Sequence, residues 1–145
     1  MYKNLVIATD GSEIAGKAVA QGLALAKALG ARVTLVTVTE VMPAMVSGDA
    51  TNVLTLQDYE RAALANAARI LDDAGAAARA SGIVCDTVHV KDRYPAEGIV
   101  ETAKTRGADL IVMASHGRRG LSKLLLGSQA TEVVSLSPVP VLVCR

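Results

Sequence analysis

The 145-residue sequence predicts an α/β fold, an open parallel sheet covered by helices on both faces. Five short runs rich in Val, Ile and Leu alternate with longer helical patterns, the signature of right-handed strand–helix–strand crossovers. The first, second and fourth runs are nearly continuous in apolar residues, as parallel strands buried on both faces are. Hydrophobic residues make up 51% of the chain and charged residues 20%, which supplies a core and argues against disorder. At this length a single domain over residues 1–145 is expected.

The strands fall at Asn4–Asp10, Arg32–Thr39, Val84–Val90, Leu110–Ser115 and Val139–Cys144. Between the first two, Ile14, Ala15, Ala18, Val19, Leu23, Ala26 and Leu29 recur at helical spacing, and Gly30 follows as a C-terminal stop. A second helix is expected over Asp58–Ala80, with Tyr59, Ala63, Ala67, Ile70, Leu71, Ala74 and Ala78 as its inner stripe. Tyr94-Pro95 opens a third, because proline suits the first helical turn; Ile99, Val100 and Ala103 face inward. A short fourth helix spans Ser128–Leu136 and ends before Pro138. Ligands of such sheets sit beyond the carboxyl ends of the strands, where the winding switches direction. That directs attention to the loops Asp10–Ser12, Thr39–Leu56 and His116–Gly127, the second long enough to serve as a flap.

Composition removes several function classes. The aromatic content is 2%, three Tyr with no Phe or Trp, which leaves almost no platform for stacking bases of a nucleic acid. Fifteen Lys and Arg against fourteen Asp and Glu give a formal charge of +1, too balanced for a phosphate-tracking surface. No apolar run approaches the ~20 residues that cross a bilayer, so no membrane contact is expected. Nothing in Met1–Leu29 reads as a signal peptide. Cys85 and Cys144 fall in apolar strand patterns as buried, inert thiols, and a reducing cytoplasm is the expected compartment.

Three motifs carry chemistry. Gly11-Ser12-Glu13-Ile14-Ala15-Gly16-Lys17-Ala18 nearly spells the phosphate loop of nucleoside triphosphatases. It fails because Ala18 has no hydroxyl for Mg²⁺ and Glu13 repels phosphate, which leaves a helix N-terminus with a packing glycine. Asp10 ends a buried run at the functional edge of the sheet. Asp10 or Ser12 caps the following helix, and the Asp10 carboxylate is also suited to a sugar hydroxyl or an adenine amine. The strongest stretch is Met113-Ala114-Ser115-His116-Gly117-Arg118-Arg119-Gly120-Leu121-Ser122-Lys123-Leu124-Leu125-Leu126-Gly127-Ser128-Gln129. It is a strand end, a glycine turn, an excursion with three cations (Arg118, Arg119, Lys123) and a glycine opening a helix at Ser128. Glycines let backbone N–H groups approach an anion, and the helix N-terminus adds an aligned dipole. His116 and His89 make no metal-ligand set, and a Ser-His-Asp hydrolase of Ser115 or Ser128, His116 and Asp10 lacks the Gly-x-Ser-x-Gly elbow.

At this motif the sequence closely resembles the universal stress protein family in its single-domain form. The family's nucleotide-binding branch carries Gly-x2-Gly-x9-Gly-(Ser/Thr) after the fourth strand; the matching stretch is Ala114-x2-Gly117-x9-Gly127-Ser128. The Ala8–Ser12 start, the long second loop and the Ser137–Val143 ending match as well. The resemblance implies the sheet order 3-2-1-4-5, ATP or AMP at the switch point with Mg²⁺ entering through the phosphates, and a homodimer. By position, it places Asp10 at the adenine or ribose with Ala8 and Thr9 beside it, and Val38 at the adenine. It gives Met113, Ala114, His116 and Gly117 to the ribose and phosphate turn, and Gly127, Ser128 and Gln129 to the phosphate-binding helix start. Ala114 replaces the first motif glycine, which a methyl group tolerates where φ is negative.

The final strand, Val139–Cys144, reads as a short apolar edge, and the resemblance implies antiparallel pairing with its copy in a second chain. The functional expectation is a cytoplasmic nucleotide-binding regulatory module of the stress response, serving a protein partner that the sequence does not name. Two alternatives stand beside it: a dimeric interaction module of the same family without ligand, and a slow ATP-hydrolysing enzyme. The phosphate loop shows no general base beside an attacking water, so turnover is expected to be slow at most.

Overall fold

The computed structural model describes residues 1–41, 52–117 and 126–145. The strands β1 (Asn4–Ala8), β2 (Arg32–Thr39), β3 (Cys85–Lys91), β4 (Leu110–Ala114) and β5 (Val141–Cys144) alternate with α1 (Glu13–Leu29), α2 (Asn52–Ala80), α3 (Pro95–Thr105) and α4 (Ser128–Leu136). They form one sheet of order β3-β2-β1-β4-β5, and every neighbouring pair is parallel. Fold class and strand order therefore agree with expectation.

Side chains of a strand alternate between faces, and the core divides accordingly. Leu5, Ile7, Val33, Leu35, Leu110 and Val112 pack with α1 and α2 on one face. Val6, Ala8, Val36, Ile111 and Met113 pack with α3 and α4 on the other. Both clusters are aliphatic; of the three tyrosines only Tyr2 leans on a core cluster. Because no ring separates helix from sheet, helices approach closely. A Cβ on Gly22 of α1 would lie 2.7 Å from Ile7 Cδ1 and 3.2 Å from Val112 Cγ1. The packing glycine of α1 is thus Gly22, not Gly16, whose Cβ would meet nothing within 4 Å.

Ser12 caps α1, its Oγ accepting from Ala15 N (3.2 Å), and Gly30 ends the helix in the left-handed conformation (φ 65°) that glycine adopts at least cost. β1 and β4 are locked at the opposite edge of the sheet from their carboxyl ends. Lys3 N and Asn4 N donate to the Asp109 carboxylate (2.9 and 3.1 Å), and Asn4 Nδ2 donates to the carbonyls of Arg106 and Gly107.

Several boundaries differ from the sequence reading. β1 and β4 stop one or two residues early, because Thr9 and Asp10 turn toward α1 and Ser115 toward the site. β5 begins at Val141, since Ser137–Val139 close a turn on the Ser137 hydroxyl, which accepts from Val139 N. β3 is shifted by one residue, leaving Val84 91% exposed. α2 starts at Asn52, six residues before expectation, while Tyr59 is 40% exposed and does not belong to the inner stripe. Leu29 is also exposed, on the last turn of α1 where the sheet no longer lies beneath it. The middle of the Thr39–Leu56 segment, read as a flap, lies outside the described residues.

Candidate functional site

A cleft of about 370 Å³ opens at the carboxyl edge of the sheet, between β1, β2 and β4. That volume lies in the range of small-molecule sites. Ala8, Thr9, Asp10, Val38, Met113, Ala114, His116, Gly117, Gly127, Ser128 and Gln129 all line it. Arg118, together with Arg119 and Lys123, lies outside the described residues. Sequence reasoning missed Pro95 and Ile99 of α3, Glu40 at the lip, and Ala15, Val36 and Ala130, and weighed Ser115 only as a hydrolase nucleophile. The signal for α3 was available: a helix opening at Pro95 directly after β3 must start at this same edge of the sheet.

Each wall has a local cause. β1 leaves the sheet after Thr9, whose N–H donates to Val36 O (2.9 Å). Gly11, at φ 78°, then turns the chain into α1. Asp10 Oδ1 accepts from Ser12 N (2.9 Å) and Thr9 Oγ1 from Gly11 N (3.2 Å), so Asp10 braces the turn that Ser12 caps. Backbone groups of alternate strand residues face the same neighbour. Val38 N–H and C=O therefore point as those of Val36 do, into the space that β1 has vacated. Thr39 O faces the other way, toward β3, and accepts from Arg93 N (3.5 Å).

The opposite wall is built around Ser115, buried at the end of β4. Its N–H donates to Cys144 O (2.7 Å), its carbonyl accepts from Gly127 N (2.7 Å), and its Oγ shares a hydrogen bond with His116 Nδ1 (3.0 Å). Among the described residues, His116 Nε2 is the one buried side-chain polar atom without a hydrogen-bond partner. If the serine hydroxyl donates to Nδ1, Nε2 carries the proton and is a donor.

The two motif glycines act by their small size and not by backbone freedom. Gly127 has φ −63°, and a Cβ there would lie 3.0 Å from Ser115 O and 3.3 Å from His116 Cα. A Cβ on Gly117 would lie 2.8 Å from Asp10 Oδ2. Nor is the Gly127 N–H offered to an anion, since Ser115 O already takes it. The open donors are those of the next turn, Ser128, Gln129 and Ala130, which have no helical acceptor at the start of α4 and, among the described residues, no side chain capping them. Gln129 reaches sideways: its Oε1 accepts from Ala96 N (3.1 Å), giving α3 the cap that Tyr94 does not supply. Ala114 sits within β4, and Asp92 is the one non-glycine with positive φ among the described residues, so a methyl at the first motif position carries no backbone strain.

The charged residues described in the cleft lining are both acidic, Asp10 and Glu40. No group of three His, Cys, Asp or Glu capable of holding a metal is found among the described residues. Burial pushes both thiols up, at Cys85 with Asp86 adding to it against the Arg79 charge, which keeps them in the unreactive protonated form. Likewise burial, with the Lys91 charge, holds the His89 imidazole below its ordinary value; its Nε2 lies 2.7 Å from Thr39 Oγ1.

The whole of residues 1–145 matches the family model described as the universal stress protein family. The chain belongs to that family. A universal stress protein of Thermus aquaticus is 33% identical over 145 residues, covering all of both chains. Among solved structures, universal stress protein UspA from Lactobacillus plantarum superposes with a TM-score of 0.84 at 22% identity, over 99% of this chain and 98% of that one, a likeness of fold. A universal stress protein solved in complex with cAMP is 29% identical, with a TM-score of 0.73 over 99% of this chain and 97% of that one. No helix among the described residues is long and apolar enough to cross a membrane.

Proposed function

We propose that residues 1–145 act as one universal stress protein domain that binds an adenine nucleotide, ATP or AMP, in this cleft. The observation that carries the reading is the pairing, across one cleft, of a strand donor and acceptor with an uncapped helix N-terminus. Val38 N–H and C=O match the acceptor and donor along the edge of adenine, while the Val38 and Met113 side chains enclose its faces. Asp10, fixed by Ser12 N, suits the ribose hydroxyls. The first-turn N–H groups of α4 suit phosphate, with the helix dipole aligned to favour negative charge. A divalent cation would enter with the phosphates, held by them more than by protein. The relative solved with cAMP supports an adenine-based ligand.

The module is regulatory, placed in the cytoplasm, and not an efficient enzyme. Among the described residues of the cleft, one Asp10 oxygen is engaged by the α1 turn and Glu40 stands exposed at the lip, which leaves neither carboxylate set as a base for an attacking water. Its assembly is a homodimer through the segment Val139–Cys144. Ile111 N and Ser115 N donate to the carbonyls of Pro140 and Cys144. Alternation then turns the N–H and C=O of Val141 and Val143 outward along an open edge.

Calorimetry on nucleotide-stripped protein tests the ligand. Heat of binding with AMP or ATP is expected, and its absence at millimolar nucleotide refutes the reading in favour of a ligand-free interaction module. Light scattering at micromolar protein tests the assembly, with twice the chain mass expected.

A further inference from the structure

Gly98 is a buried glycine at the end of the first turn of α3, its N–H donating to Tyr94 O (3.0 Å), within a helix where glycine is less favourable than alanine. Its backbone is held from above, since the Thr102 hydroxyl donates to Gly98 O (2.8 Å). Below it lies the base end of the cleft. A Cβ on Gly98 would stand 2.8 and 3.0 Å from the two methyls of Val38, and 3.3 Å from Val90 Cγ1. Separations under 3 Å between such atoms are not sustained, so one side must move. Val38 is β-branched and has few rotamers to escape into. A methyl at position 98 therefore leaves two outcomes. Val38 is pressed into the cleft, or α3 lifts and carries away Pro95 and Ile99, which line the same cleft. Either outcome alters the space for the base, and the first also leaves the start of α4 in place, whereas a lifting α3 would pull on Gln129 through Ala96 N.

We infer that Gly98 is a positioning residue for the base slot: it touches no ligand but seats Val38 back against α3 and so sets how deeply a flat purine enters. This rests on the adenine-nucleotide reading above. It accounts for a buried first-turn glycine of α3.

The experiment is a two-residue cycle of G98A, V38A and the double variant, read by calorimetry with AMP and by thermal unfolding without ligand. G98A is expected to weaken AMP binding about ten-fold or more, an effect on the scale of ordinary overpacking. In the V38A background the same change is expected to cost little affinity, because the two closest methyls are gone and only Val90 Cγ1, at 3.3 Å, has to give. The unfolding midpoints are expected to be non-additive, with G98A lowering the midpoint beside Val38 and lowering it less, or raising it, in V38A. AMP binding by G98A equal to that of the unmodified chain overturns the inference alone, and so do additive midpoints. Failure of the unmodified chain to bind AMP refutes the nucleotide reading instead, and the slot's role with it. The two failures are thereby told apart.

Discussion

Replacing Gly127 separates packing from binding at the start of α4. At φ −63° and ψ 161° an alanine meets no backbone penalty, so the whole cost comes from its Cβ, 3.0 Å from Ser115 O. That oxygen cannot swing aside, because it accepts from Gly127 N at 2.7 Å while Ser115 N is tied to Cys144 O at 2.7 Å. Relief requires the helix start to withdraw by ~0.3 Å, which lengthens a short hydrogen bond toward its usual length without breaking it. Gly127→Ala is therefore expected to cost only about 1 kcal/mol of stability. Gly127→Val adds two γ carbons against the same carbonyl and His116, for about 2–3 kcal/mol. On the proposed nucleotide reading, its larger withdrawal also takes the Ser128–Ala130 N–H groups away from the phosphate position, for about 2 kcal/mol of binding, or roughly thirty-fold. Urea unfolding followed by far-UV circular dichroism and AMP calorimetry on the same preparations give both numbers. AMP affinity unchanged in folded Gly127→Val would show that phosphate does not sit on α4. A loss above ~3 kcal/mol in Gly127→Ala would refute the packing estimate.

Three further outcomes are expected. Gly22→Ala places a Cβ 2.7 Å from Ile7 Cδ1 and 3.2 Å from Val112 Cγ1, so overpacking should outweigh the ~1 kcal/mol gained in helix propensity and lower the urea midpoint. Val143→Pro removes an outward N–H from the middle of β5, so sedimentation should report monomer while circular dichroism keeps the fold. Burial raises the Asp109 carboxyl, but donation from Lys3 N and Asn4 N outweighs it and holds the group below the usual carboxylate value. Since the folded value is the lower one, its stabilisation is present above about pH 4 and is lost as pH falls through the folded value. Asp109→Asn should flatten the fall of the unfolding midpoint across that acid window.

How much was legible in the sequence varies with the range of the interaction. Arg32–Thr39 and Ser128–Leu136 have the extents that periodicity and Pro138 indicate, because burial on both faces and local stop signals write themselves into neighbouring residues. The loops around the cleft were legible because strand ends and a glycine-flanked helix start must share one sheet edge, whereas individual wall residues such as Val38 and Met113 came only through the family resemblance. What sequence could not show are contacts between segments far apart in the chain: Gly127 N on Ser115 O, Gln129 Oε1 on Ala96 N, and the Asp109 clasp on Lys3 and Asn4. Such bonds have no period. Gly22 and Gly98 were illegible for a related reason, since a glycine's use depends on which side chain lies opposite it. Tyr59 misled because a helix stripe continues past the point where the sheet beneath it ends.

The absence of rings from the core has an optical consequence. Tyr59 and Tyr94 are 40% and 68% exposed, and Tyr2 sits at the margin of its cluster, so the close-packed interior contains no near-ultraviolet chromophore. Loss of near-ultraviolet dichroism, the usual sign that tight packing has melted while helices persist, therefore has little signal to lose in this protein. Hydrogen exchange is the better witness of its packing. The same silence is useful in another way: against three tyrosines, the absorbance of an adenine would stand out in the spectrum of the freshly purified chain if one were retained.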